Sequence, residues 1–194
     1  MTASLGQLHK RAVLMAVLMA VLAASLLGHG AEARGPSSSK RLTADFQARA
    51  KQYLDWRKKV AGNPPKPTDS PEVIASSQRE LGNKVRVARA GAKQGEIFSP
   101  EIVRYFRHQI AEPLRGEAGD KIRASLRNAE PVKIELQVNQ SYPQNVPLQS
   151  TPPSLLLKLP ELPKGLEYRI LGRELILRDT DANVIVDYVP NALP

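Results

Sequence analysis

Along the first half of the chain apolar positions recur at helical spacing; along the second half they alternate. From Thr43 to Val60, Phe46, Ala50, Tyr53 and Val60 share one face, Thr43 stands where an N-cap belongs, and Arg57-Lys58-Lys59 fill the last turn, where cations complement the helix dipole. That pattern predicts one amphipathic helix. Ala61 to Asp69 cannot continue it, because paired prolines remove amide donors and hold their neighbours extended. Two further helix starts use one device: Ser70-Pro71-Glu72 and Ser99-Pro100-Glu101 each offer a Ser N-cap, a Pro whose missing N–H is harmless in the first turn, and an early carboxylate. The first should open a helix of about twenty residues with Ile74, Ser77, Leu81, Val85, Ala88 and Ala92 on its apolar stripe. The second should bury Ile102, Val103, Phe106 and Ile110, with Phe98 placed to staple against Val103. Pro113, Gly116 and Gly119 break the pattern, and Lys121 to Arg127 add a short helix.

After Pro131 the period changes to two. Val132, Ile134, Leu136 and Val138 alternate with polar residues, Leu155 to Leu159 is a short apolar run closed by Pro160, and the last thirty residues are a meander. In it Leu166, Tyr168 and Ile170 form one face, Gly172-Arg173 turns, Leu175 and Leu177 return, Asp179 to Ala182 turns again, and Val184, Val186 and Tyr188 finish. Strict alternation puts Tyr168 and Tyr188 on the apolar faces of adjacent strands, beside Leu175 and Val184. The fold class predicted is α+β, an N-terminal helical region followed by a small antiparallel β-meander of four or five strands.

The N-terminus changes the picture from fold to destination. His9, Lys10 and Arg11 form a basic region, Ala12 to Leu27 an unbroken apolar run, and Ala31-Glu32-Ala33 a small-x-small cleavage motif, which together read as a secretory signal peptide over residues 1–33. The apolar run has 16 residues, short of the roughly 20 that cross a bilayer. Residues 34–42 are then expected to be a disordered basic leader, 43–130 the helical region and 131–194 an antiparallel β domain, in a product secreted to the periplasm or outside the cell and lacking a transmembrane helix. With no cysteine in the chain, a disulfide framework, thiolate metal sites and a cysteine nucleophile are excluded.

Charge is uneven: Arg34 to Glu112 holds 16 Lys and Arg against 8 Asp and Glu, whereas Pro113 to Pro194 holds 10 of each. On an ideal helix Arg79, Arg86, Arg89 and Lys93 fall within an arc of about 80° that contains no acidic residue. With Arg57, Lys58 and Lys59 they are the candidate anion-binding residues, and the partner expected is an anionic envelope component or a protein. A solvated face that keeps the protein in solution explains the same charges. Nucleic acid is disfavoured by the export signal and by the lack of interleaved aromatics for base stacking.

Other chemistry is sparse. Asp179, Asp181, Asn183 and Asp187 stand at relative positions 1, 3, 5 and 9 and overlap calcium-loop spacing, but position 6 is Val184 instead of Gly and position 12 is Pro190 instead of Glu. A hairpin turn using Asp and Asn side chains for backbone bonds explains the same residues. His108 lies four residues before Glu112, on one helix face, with no nucleophile in view. An enzyme would have to assemble its site from dispersed groups such as Asp187, Asp179 and His108. No motif requires a cofactor.

The order from Val138 to Val189 is recognisable: a strand ending near Val146-Pro147, Leu159-Pro160 and Leu162-Pro163, Gly-x-x-Tyr-Arg, Leu-Ile-Leu-x-Asp, then Ile-Val-Asp-Tyr-Val. It resembles small periplasmic domains of unknown function and, more distantly, periplasmic nickel and cobalt homeostasis proteins. The chain as a whole, through Tyr53-Leu54, Arg57-Lys58-Lys59, Arg89 to Gly95 and the ending Asp187 to Pro194, resembles a family of uncharacterised secreted bacterial proteins. The resemblance implies export and an α+β layout. The metal-handling function does not carry over, because beyond the signal only His108 remains and there is no Cys. The reading is an exported, non-enzymatic envelope or periplasmic binding module engaging an anionic surface or a protein partner. A structural or chaperone-like protein is the alternative.

Overall fold

The computed structural model describes residues 36–63, 67–127, 135–143, 155 and 157–193. The chain divides into two compact units, Met1–Ser37 and Ser38–Pro194, and nearly all described residues belong to the second. The signal segment, Val132 to Ile134 of the expected strand, and the Val146-Pro147 and Pro152-Pro153 steps lie outside them.

The helices are α1 (Pro36–Ala61), α2 (Pro71–Ala88), α3 (Pro100–Ala111) and α4 (Gly116–Arg127), with a 3-10 turn at Glu112–Leu114; the strands are β1 (Leu166–Leu171), β2 (Glu174–Asp179) and β3 (Val184–Val189). They form one antiparallel sheet in the order β1-β2-β3, giving the α+β fold. None of the described helices is long and apolar enough to cross a membrane.

The expectation of a disordered leader over residues 34–42, with Thr43 as the helix N-cap, is corrected for residues 36–42. The helix already runs from Pro36, whose fixed φ suits a first turn, and Thr43 is inside it, its hydroxyl donating to the carbonyls of Ser39 and Lys40 at 3.1 and 3.0 Å. Ser70 does cap α2, accepting from the Val73 amide at 3.4 Å, whereas the Ser99 hydroxyl makes no cap and donates to Glu101. The stripe expected on α2 also shifts. Gly82 and Val85 are buried, Ile74 is 54% exposed, and the helix ends at Ala88, before Ala92. What docks α2 is its approach to the β2–β3 turn: a Cβ on Gly82 would sit 2.5 Å from the Ala182 carbonyl oxygen, and Val85 packs on Ala182 and Val184. The Asn139 amide closes the helix end, donating to the carbonyls of Arg86 and Arg89.

The main core lies between the inner sheet face and helices α1 and α3. Phe46 stacks on Phe98 with centroids 5.4 Å apart and meets Phe106 edge-on at 5.0 Å, while Tyr168 joins from β1 at 6.3 Å from Phe46. Aromatic pairs of this geometry add about 0.5–1.5 kcal/mol each beyond area burial.

The meander forms with the predicted turns, in three strands. Of the expected strand from Leu155 to Leu159, the described residues, 155 and 157–159, are not in a strand. Leu155 and Leu159 point inward while Leu157 is 85% exposed, and the Lys158 amide donates to the Leu155 carbonyl, so inward positions are four apart as in a helical turn. Glu135–Gln137 likewise carries no strand; Leu136 there packs against Tyr142, Ile176 and Ile185. A bulge corrects the face of Tyr188. Between the Leu177–Asp187 and Arg178–Ile185 pairs, Val186 is extra, so Val186 and Asp187 are both buried and alternation resumes one residue out of phase. Tyr168 therefore packs with Leu175 and Leu177 on the inner face, whereas Tyr188 lies on the outer face with Ile176 and Ile185.

Candidate functional site

The bulge and the Asp-rich turn place two carboxylates, Asp179 and Asp187, fully buried. Asp187 ends the bulge facing the loop between α2 and α3 and accepts from four amides: Gly95 at 3.0 Å, Ile97 and Phe98 at 2.9 Å, and Tyr188 at 2.8 Å. Gly95 enables this wrap with a φ of +93°, where a side chain would be strained. Burial raises the Asp187 carboxyl above the ordinary aspartate value while the amides pull it down. Asp179 accepts from the Tyr53 hydroxyl at 2.8 Å, from Arg57 at 3.2 Å, and from the amides of Asp181 and Ala182 at 3.0 Å. Burial raises its pKa too, and burial together with Asp179 raises that of Tyr53. Arg57 also donates to Asp181 at 2.6 Å.

These partners dispose of several candidates. The aspartates do not form a calcium loop. Asp179 is engaged by Arg57, Asp187 by amides, and Asn183 accepts from Arg178 and donates to the Tyr142 carbonyl. Among the described residues no cluster of three or more His, Asp or Glu is placed to hold a metal ion. His108 is exposed on α3, 3.9 Å from Glu112, and shares no hydrogen bond with Asp179 or Asp187 among the described residues.

The expected basic stripe separates into two kinds of arginine. Arg57 is buried in its ion pairs. Arg89 lies at the C-cap of α2 with its side chain 9% exposed, paired with Glu96 at 2.9 Å, reaching the Val186 carbonyl, and stacked 5.2 Å over the Tyr53 ring. Both are internal struts. Because the helix stops at Ala88, Lys93 leaves the arc and sits exposed in the following loop. Lys58 and Lys59 are exposed near the end of α1. Arg79 and Arg86 remain on the surface of α2, about 10.5 Å apart along its axis. Among the described residues neither is ion-paired. Arg86 donates to Ser141 and Asn83, whose oxygens are neutral.

The pair lines a cleft of 480 Å³ with Gln78, Asn83, Ser141, Tyr142 and Asn183, and among the described residues no carboxylate contributes to its wall. Sequence reasoning missed this segregation, since Asp179, which holds Arg57, lies 122 residues away, and of Arg89's two acceptors Glu96 is in the next loop while the Val186 carbonyl is 97 residues away. Only the Tyr53–Arg57 spacing, one helical turn with both groups next to apolar positions, gave a local sign that Arg57 faces inward. Comparison with family models, curated proteins and solved structures yields no match to this chain.

Proposed function

We propose that the chain is an exported, non-enzymatic binding module of the bacterial envelope or periplasm, of the kind its sequence resembles, and that it engages an anionic group through Arg79 and Arg86. One observation carries this reading: among the described residues the two guanidiniums make no carboxylate pair, and the other side chains that line their cleft are uncharged. Guanidinium forks match the oxygens of phosphate, sulfate or carboxylate, and the neighbouring amides add donors. Lys93 and Lys58 extend the positive field without belonging to the cleft. Export rests on the signal segment at residues 1–33.

The test compares wild type with the Arg79→Glu/Arg86→Glu variant on heparin and on phosphatidylglycerol vesicles. Wild type is expected to bind at least one probe, with affinity falling steeply with salt. The variant is expected to bind at least about tenfold more weakly with an unchanged circular dichroism spectrum, since the two positions are held by helix and not by ion pairs. Equal binding by both proteins would refute the assignment. A second reading, a protein partner, is favoured by Val73 and Ile74, which are 46% and 54% exposed side by side on α2.

A further inference from the structure

A second cleft, of 570 Å³, opens where α1 meets the end of α2 and the loop after it. Asp45, Arg49, Gln52 and Trp56 recur along one face of α1 and form one wall, and Arg89 and Glu96 form the other. We infer that this cleft is a saccharide subsite for a neutral pyranose, stacked on Trp56 and hydrogen-bonded by the charged and amide side chains around it. The inference is independent of Arg79 and Arg86, neither of which lines this cleft.

The charges point to a neutral ligand. Asp45 pairs with Arg49 and Glu96 with Arg89, each at 2.9 Å, so two anions and two cations cancel within the wall. A polyanion gains nothing here, and a zwitterion would have to break pairs already made. A sugar needs something else: donors and acceptors at fixed spacing for vicinal hydroxyls. The paired groups supply them in part-used form. Asp45 engages Arg49 through Oδ2 only, and among the described residues its Oδ1 and the Gln52 amide have no partner. The Arg49 guanidinium is further fixed by donating to the Glu96 carbonyl at 3.1 Å, and Arg89 by its seat on Tyr53. Groups held this way lose little freedom when a ligand arrives.

Trp56 supplies the apolar half of the recognition. It is the chain's single tryptophan, half-buried, its body anchored against both the main core and the Val85–Val184 cluster, with the Tyr53 ring 5.9 Å away. A half-buried indole that lines a cleft is an amphipathic platform. The C–H face of a pyranose is apolar while its rim carries hydroxyls, which matches an aromatic floor ringed by planar polar groups.

The experiment uses the full chain on an array of neutral glucose-, mannose- and N-acetylglucosamine-based di- and trisaccharides, followed by titration with the best binder. Trp56 emission is the direct readout for wild type and the Gln52→Ala variant, since no other indole contributes. Binding of at least one neutral oligosaccharide is expected, with a saturable emission change. Gln52 is exposed, so its replacement leaves the fold intact and should weaken binding about tenfold; Trp56→Phe, followed by calorimetry, should do at least the same. The Arg79→Glu/Arg86→Glu protein should bind the sugar unchanged, and its loss of anion affinity reports separately on the other cleft. Absence of binding across the array, binding indifferent to Gln52→Ala, or binding lost in the Arg79/Arg86 variant would each overturn the assignment.

Discussion

Replacing Asp187 by Ala is expected to destabilise the protein by about 4 kcal/mol or more, because each buried amide stripped of its acceptor costs about 1–3 kcal/mol. The amides of Ile97 and Phe98 are buried and that of Gly95 is partly so, and all three address this one carboxylate. Asp187→Asn should also destabilise, since it keeps one acceptor oxygen and turns an N–H₂ group towards donors. Folded domains hold only about 5–15 kcal/mol in reserve, so a loss of this size is a large part of the whole. Urea unfolding gives the magnitude, and hydrogen exchange at Gly95, Ile97 and Phe98 locates it. An unchanged midpoint with protection retained at those amides would show that the loop is held by something else.

Truncating Phe106 to Ala should cost about 3–5 kcal/mol through lost transfer energy and the cavity left behind. Phe106 is fully buried and touches Phe46, Phe98, Tyr105 and Tyr168 with centroids 5.0 to 6.0 Å apart, so its ring joins α1, the loop before α3, and the sheet. Val87→Ala on α2 is the control, where 79% exposure predicts a change within about 0.5 kcal/mol. If both substitutions move the unfolding midpoint alike, Phe106 is not the joint described.

These two residues show what a linear pattern reveals and where it stops. Phe106 was legible: helical spacing from the Ser99-Pro100-Glu101 start placed it inward with Ile102 and Ile110. The meander was legible too, because its turns are marked locally by Gly172-Arg173 and by Asp179, whose side chain accepts from the amides two and three residues on. Asp187 was not. Its inward orientation depends on the bulge at Val186, which arises in the pairing of β3 with β2 and leaves no mark in the alternation of β3 alone. Leu155 to Leu159 failed for a related reason, since a five-residue apolar run has the same composition as a strand or a helical turn and only its neighbours decide. The basic half was legible as charge and illegible as site. Arg57 reaches Asp179 and Arg89 the Val186 carbonyl, both in the sheet and far along the chain, and Arg79 and Arg86 acquire their cleft from Ser141, Tyr142 and Asn183.

Nuclear magnetic resonance of the guanidinium Nε–Hε groups distinguishes the internal, ion-paired arginines, Arg57 and Arg89, from the surface pair, Arg79 and Arg86. Titration of the isotope-labelled chain with a short heparin oligosaccharide should shift the Arg79 and Arg86 signals progressively, and leave those of Arg57 and Arg89 in place because Asp179, Asp181 and Glu96 already hold them. Shifts at Arg57 or Arg89 with Arg79 and Arg86 unmoved would contradict the account.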